Sequence, residues 1–198
     1  MKTKNKTLLL ALCAVLLVTA SVFGTMAYLT DSKTVTNTFT VGSVAITMDE
    51  TDVDGTAGRD TENSYKLLPG HEYTKDPQIH VASTSEDCYL FVKVENEIAD
   101  IESKEAGKSV AEQMAAKGWA EVDGHRGVYV KMNGNALQTV TGGEDVNVFE
   151  KLTIDGSVNG SMLETYENKN ITVTAYAVQK DGFAGKSAAE IWAAAAFN

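Results

Sequence analysis

Three kinds of residue are scarce in this chain, and each scarcity removes a class of function. Histidine occurs only at His71, His80 and His125, and never in the H-E-x-x-H pattern that sets two zinc ligands one helical turn apart with a glutamate to activate water. Cysteine occurs only at Cys13 and Cys88. Cys13 lies in a segment expected to be removed, which leaves no intramolecular disulfide. Cys88, followed by Tyr89, Leu90, Phe91 and Val92, reads as a small buried apolar residue and not as a catalytic thiolate. Cations are short too, with 17 lysines and arginines against 27 aspartates and glutamates. That balance disfavours nucleic acid and anionic membranes as partners, since both demand a cationic surface. A G-x-S-x-G elbow and a phosphate-binding glycine loop are also missing.

What is present begins with an export pattern. Lys2, Lys4 and Lys6 precede an almost unbroken apolar run from Leu8 to Phe23, and Thr25-Met26-Ala27 places small residues where a signal peptidase inspects them. The run's sixteen residues fall just short of the roughly 17 that a membrane-spanning helix needs. With that cleavage pattern, a cut between Ala27 and Tyr28 is expected, with membrane contact only before it; a retained membrane anchor is the alternative. A lipoprotein signal would carry a small residue where Leu12 stands before Cys13. Taking 27 residues from 198 leaves 171; three lysines and no acidic residues go with them, so 14 basic side chains face 27 acidic ones, a formal charge of −13. Such a length suits one domain, here an arm over 28–37 followed by a domain over 38–198.

The domain reads as β-structure. Thr38 to Met48 alternates between apolar and hydroxyl side chains, with a slip at Gly42-Ser43 that a β-bulge would absorb. After the Leu68-Pro69-Gly70 turn, Pro77 opens a strand carrying Ile79 and Val81. Cys88, Leu90, Val92 and Val94 form one face of the next strand, and Tyr89, Phe91 and Lys93 the other. A hairpin is expected around Asp123-Gly124 and Arg126-Gly127, a strand over Val146 to Ile154, and a last, central strand over Ile171 to Val178. Ser109-x-x-Glu112 and Ser187-x-x-Glu190 are capping boxes for two short helices, the second bearing an apolar stripe of Ala188, Ile191, Trp192 and Ala195 that ends at Phe197. Together these elements predict an all-β antiparallel sandwich with short helices in its connections and at its C-terminus.

Asp49 to Ser64 reads as an acidic loop. Within it Glu50, Asp52 and Asp54 alternate ahead of Gly55, as at the start of a calcium loop, with Asp60 near the closing position; that position is Thr61, where a calcium loop places a bidentate glutamate. Calcium is the one cofactor the sequence suggests, and an ordinary solvated acidic loop is the alternative.

The order of these segments resembles a known family. AYLTDSKTVTNTFTVGSVAITM, with its small-x-Ala site, polar spacer and N-T-F-T-V-G-x-V-x-I strand, is similar to the signal and first strand of the TasA and camelysin family. LLPGHEYTKDPQIHV (67–81), EDCYLFVKVEN (86–96) and ITVTAYAVQKDGF (171–183) continue the likeness. The resemblance implies a jelly roll, secretion or surface display by a Gram-positive bacterium, and processing by a signal peptidase of the SipW type. It also implies two opposed functions. A TasA-like protein is a non-enzymatic biofilm matrix component that associates with itself or with related matrix proteins into fibres, one subunit's N-terminal segment completing the next subunit's sheet; Tyr28, Leu29, Val35 and Asn37 would then belong to the donor strand. A camelysin-like protein would be a surface metalloprotease, for which no catalytic residue can be nominated. A glycan-binding adhesin is a third reading, marked by Tyr65, Tyr73, Trp119 or Tyr129 grouped on one exposed face. The expectation is the structural, non-enzymatic role.

Overall fold

The computed structural model describes residue 13 and residues 43–195. The expected cleavage site at Ala27 and Tyr28, the arm residues Leu29, Val35 and Asn37, the slip at Gly42, and Phe197 lie outside the described residues.

Alternating apolar residues build two antiparallel sheets packed face to face, the layered arrangement in which strands with one buried face hide it against another sheet. One sheet runs β2 (Arg59–Asp60), β1 (Ile46–Thr51), β4 (Gln78–Val81) and β9 (Asp145–Asn147). The other runs β11 (Ile171–Gln179), β5 (Cys88–Asn96), β7 (His125–Asn133) and β6 (Trp119–Val122). Ile79, Val81 and Val146 of the first meet Cys88, Leu90 and Val92 of the second in the main core, which Trp119 and Phe149 complete. β3 (Glu72–Thr74) pairs with β10 (Lys151–Thr153), and β8 (Ala136–Leu137) folds back on β7. No helix among the described residues is long and apolar enough to cross a membrane.

Strand β5 is buried on both faces from Cys88 to Val92. Its second face, Tyr89 and Phe91, lies under α3 (Ala188–Ala195), whose Ile191 is fully buried against it. Ser187 and Glu190 cap that helix reciprocally: Glu190 N–H donates to Ser187 Oγ at 3.3 Å, and Ser187 N–H to Glu190 Oε2 at 2.9 Å. The edge of α1 (Val110–Ala116) that faces the sandwich buries Val110 and Met114. Its N-cap Ser109 accepts from Glu112 N–H, and its far end is closed by Lys131 Nζ, which donates to the Lys117 carbonyl while lying over the Trp119 ring. Gly118 follows at φ +80°, where a Cβ would stand 2.9 Å from the Met132 carbonyl.

Four expectations change. β1 runs on to Thr51, because the ion pairs of Asp49 and Glu50 described below let acidic residues stay in a strand. The stretch from Val146 to Ile154 is two strands in different sheets: Val148 and Phe149 are both fully buried in the same main core, and consecutive residues cannot share one face of a straight strand, so the chain bends there. Residues 161–169, unassigned by pattern, begin with α2 (Gly160–Glu164), whose N-cap Asn159 accepts from Met162 N–H. β11 is an edge strand and not a central one: among the described residues it pairs only with β5, over nine register positions.

Candidate functional site: an open edge and an ion-paired groove

Among the described residues β11 is laddered to β5 alone, and it presents Ile171, Val173, Ala175 and Ala177 to the main core. A groove of about 540 Å³ runs past its first residues, bounded by Met48 and Glu50 of β1 and by Ile171 and Val173. A second hollow of about 700 Å³ shares Asn63, Lys75, Asn170 and Ile171 with it and continues towards Tyr65 and Tyr166.

Both hollows are also lined by a segment that composition hides, through Glu62 and Asn63 in the first and Asn63 to Leu67 in the second. Residues 62–68 have no regular secondary structure, with Asn63, Tyr65 and Leu67 half-buried between exposed neighbours, and no ladder pairs them among the described residues. Side chains hold the segment in place. Asn63 Nδ2 donates to the Thr51 carbonyl at 3.0 Å and its Oδ1 accepts from Val53 N–H at 2.7 Å; Tyr65 Oη donates to the Thr74 carbonyl at 3.1 Å, and Leu68 N–H donates to Tyr73 Oη at 2.8 Å. The alternation N-S-Y-K-L was the available signal, masked by the acidic residues before it.

At the groove's floor Lys75 Nζ donates to both oxygens of Glu50, at 2.9 and 3.1 Å, and both side chains are about nine-tenths buried. The Tyr65 ring lies 5.5 Å from the ammonium. Glu50 is therefore diverted from the calcium-type set. Asp52, Asp54 and Asp60 do come together, with carboxylate oxygens within 4.8 Å of one another. Much of their acceptor capacity is in use: Asp52 Oδ1 accepts from Asp54 and Gly55 N–H, its Oδ2 from Ala57 N–H, and Asp54 Oδ2 from Ser64 N–H. The Ala57 N–H leads the contacts that hold the Asp52 carboxyl below its ordinary range, against the opposing effect of desolvation; desolvation and then the Asp52 charge raise Asp60.

A second ionic cluster covers the outer face of the first sheet. Ile79 and Val81 point into the core, so His80 points out. His80 Nδ1 lies 2.7 Å from Asp145 Oδ1 on β9 and Nε2 lies 3.1 Å from Asp49 Oδ1 on β1. Arg59 of β2 also pairs Asp49, and reaches Asp76 Oδ2 at 3.0 Å. Burial pushes Asp49 up, but the bonds from Arg59 and His80 outweigh it and leave the carboxyl low; Asp145, then Asp49, raise His80.

The three histidines are placed singly. His71 stacks edge-on against Tyr73 at 4.5 Å, His80 sits between its aspartates, and His125 lies 6.3 Å from Trp192. The one group of three or more metal-ligand side chains among the described residues is all carboxylate. Such hard oxygen donors suit calcium or magnesium; they do not fit a catalytic zinc, whose protein ligands include histidine or cysteine. Of the aromatic residues weighed for glycan binding, Tyr65 and Tyr73 meet edge to face at 5.7 Å, Tyr129 is half-buried, and Trp119 is buried in the core with its Nε1–H on the Asn147 carbonyl. Cys88 is fully buried, and desolvation pushes its thiol up to about 11.

No curated protein and no solved structure matches the chain. A family profile described as camelysin metallo-endopeptidase matches residues 2–183. With nearly the whole chain covered, this secreted or surface protein belongs to the camelysin family, the one that also holds TasA.

Proposed function

We propose that the protein is a non-enzymatic subunit of an extracellular assembly, joined to its neighbours by strand addition along β11. The observation that carries this reading is the nine-residue ladder of β11 at the end of the strand order among the described residues, with an apolar inner face and a groove beside its first residues. Unpaired N–H and C=O groups on a sheet edge are satisfied by an incoming extended segment, whose alternate side chains then settle against the apolar face. Residues 28–37 are the proposed donor: threonine-rich, without proline or glycine, and released only when a SipW-type peptidase cuts after Ala27. The partner is a second copy or a related matrix protein, and the setting is the biofilm matrix of a Gram-positive cell. The separate engagement of His71, His80 and His125 supports this reading over an endopeptidase.

Sedimentation of mature protein beginning at Tyr28, beside a form lacking residues 28–37, tests the proposal. Association by the first and a monomer from the second are expected; identical profiles would remove the donor-strand reading. Chelator-sensitive cleavage of casein by the same preparation, with stoichiometric zinc, would establish the endopeptidase instead.

A further inference from the structure

The cluster around His80 is built for a charged ring. Both ring nitrogens face carboxylate oxygens, Asp145 Oδ1 at 2.7 Å and Asp49 Oδ1 at 3.1 Å. A neutral imidazole has one N–H and one lone pair, so it can satisfy only one of these carboxylates and must turn a lone pair towards the other. Only the imidazolium donates to both. The surrounding charge agrees. Asp49 comes from β1, Arg59 from β2, Asp76 from the approach to β4 and Asp145 from β9, three carboxylates against a single guanidinium, and the protonated ring supplies the second cation.

We propose that His80 is a proton-operated clasp across β1, β4 and β9: protonated it ties three strands together on their outer face, and deprotonated it releases one end. The geometry also says which end. Asp49 is held a second time by Arg59, whereas Asp145 is more than half exposed and can turn to water. Asp145 stands directly opposite His80 in register and opens β9, a strand of only three residues at the edge of its sheet. Loss of the proton therefore loosens β9, whose Val146 sits in the core opposite Ile79, and leaves the β1 side closed. The sign follows from linkage. A histidine whose proton is held more tightly in the folded state contributes stability at pH below its unfolded value, and that contribution disappears as pH rises through the folded one. The clasp is closed in mildly acidic surroundings and open in alkaline ones, whether or not the chains associate.

Proton NMR of the mature protein, following the His80 ring signals, reads this directly. The titration midpoint should lie above that of the same residue in the urea-unfolded protein. Asp145→Asn, at an exposed position, should lower it while leaving the fold intact, and amide exchange across β9 should quicken in the wild type as pH rises through the midpoint. A His80 midpoint at or below the unfolded value would overturn the proposal, as would β9 exchange that changes no more than β5 exchange over the same range once the chemical pH dependence of exchange is removed. His80→Gln should abolish the difference in melting temperature between about pH 6 and about pH 8 that the clasp produces. An unchanged difference in that variant would also count against it, and the wild-type titration decides the matter if the variant does not fold.

Discussion

Removing one member of the Lys75–Glu50 pair should cost more than removing both. Each ammonium-to-carboxylate contact is short, 2.9 and 3.1 Å, and the side chains retain only 11% and 8% of their exposure. Lys75→Met leaves the Glu50 carboxylate at the groove floor without its cation, and Glu50→Leu strands the ammonium. Breaking a buried pair this way costs about 3–5 kcal/mol, and the neighbouring groove, which admits water, argues for the lower end, about 3 kcal/mol. In a domain of this size that is a fall of roughly 6–12 °C in melting temperature. The double variant replaces both charges with apolar groups of similar size and should lie within about 1 kcal/mol of the wild type. Urea unfolding followed by circular dichroism, with the four proteins closed into a double-mutant cycle, gives the coupling directly. If each single change costs less than about 0.5 kcal/mol, or if the two losses simply add, the pair is not a desolvated unit.

Three further outcomes follow from the packing and the acidic loop. Ile191→Ala should lose about 2–4 kcal/mol and shift Trp192 emission to the red, because an eight-residue helix has no stability apart from its docked face; an unaltered Trp192 spectrum would contradict that docking. Cys88 should react with a water-soluble thiol reagent only as fast as the domain unfolds, since the thiol is both buried and raised to about 11, and rapid labelling of the folded protein would refute its burial. Millimolar calcium should leave the melting temperature of the mature protein unchanged, because Asp52 is already committed to backbone N–H groups; a clear rise would show that the Asp52, Asp54 and Asp60 oxygens can turn to an ion.

The sequence was legible wherever one local rule decided the outcome. Period-two alternation located β5 and β11 and assigned their faces, and the two serine-glutamate capping boxes located α1 and α3. It was illegible where long-range partners override local character. Asp49 and Glu50 look like loop residues until Arg59, His80 and Lys75 arrive from elsewhere in the chain to neutralise them. Residues 62–68 look like the end of a turn-rich stretch until Thr51, Thr74 and Tyr73 supply the hydrogen bonds that a neighbouring strand would have made. The position of β11 at an edge depends on sheet order, which alternation does not encode. In the His80 cluster the ring and Asp145 are 65 positions apart and the ring and Asp49 are 31 apart in the other direction, so it had no local signature at all.

The two buried faces of β5 bear on how the domain finds its register. A strand with one wet face is held in place by polarity, because a one-residue slip would drive charged side chains inward and apolar ones outward. From Cys88 to Val92 that safeguard is missing, since both alternating sets are apolar and both are covered. What remains is size. Cys88, Leu90 and Val92 pack between the sheets, while the rings of Tyr89 and Phe91 pack beneath α3. A slip would put two aromatic rings where aliphatic side chains belong and leave voids under the helix, so volume matching sets the alignment of this half of the strand, while the half-buried Lys93 and the exposed Glu95 keep polarity at work in the other half.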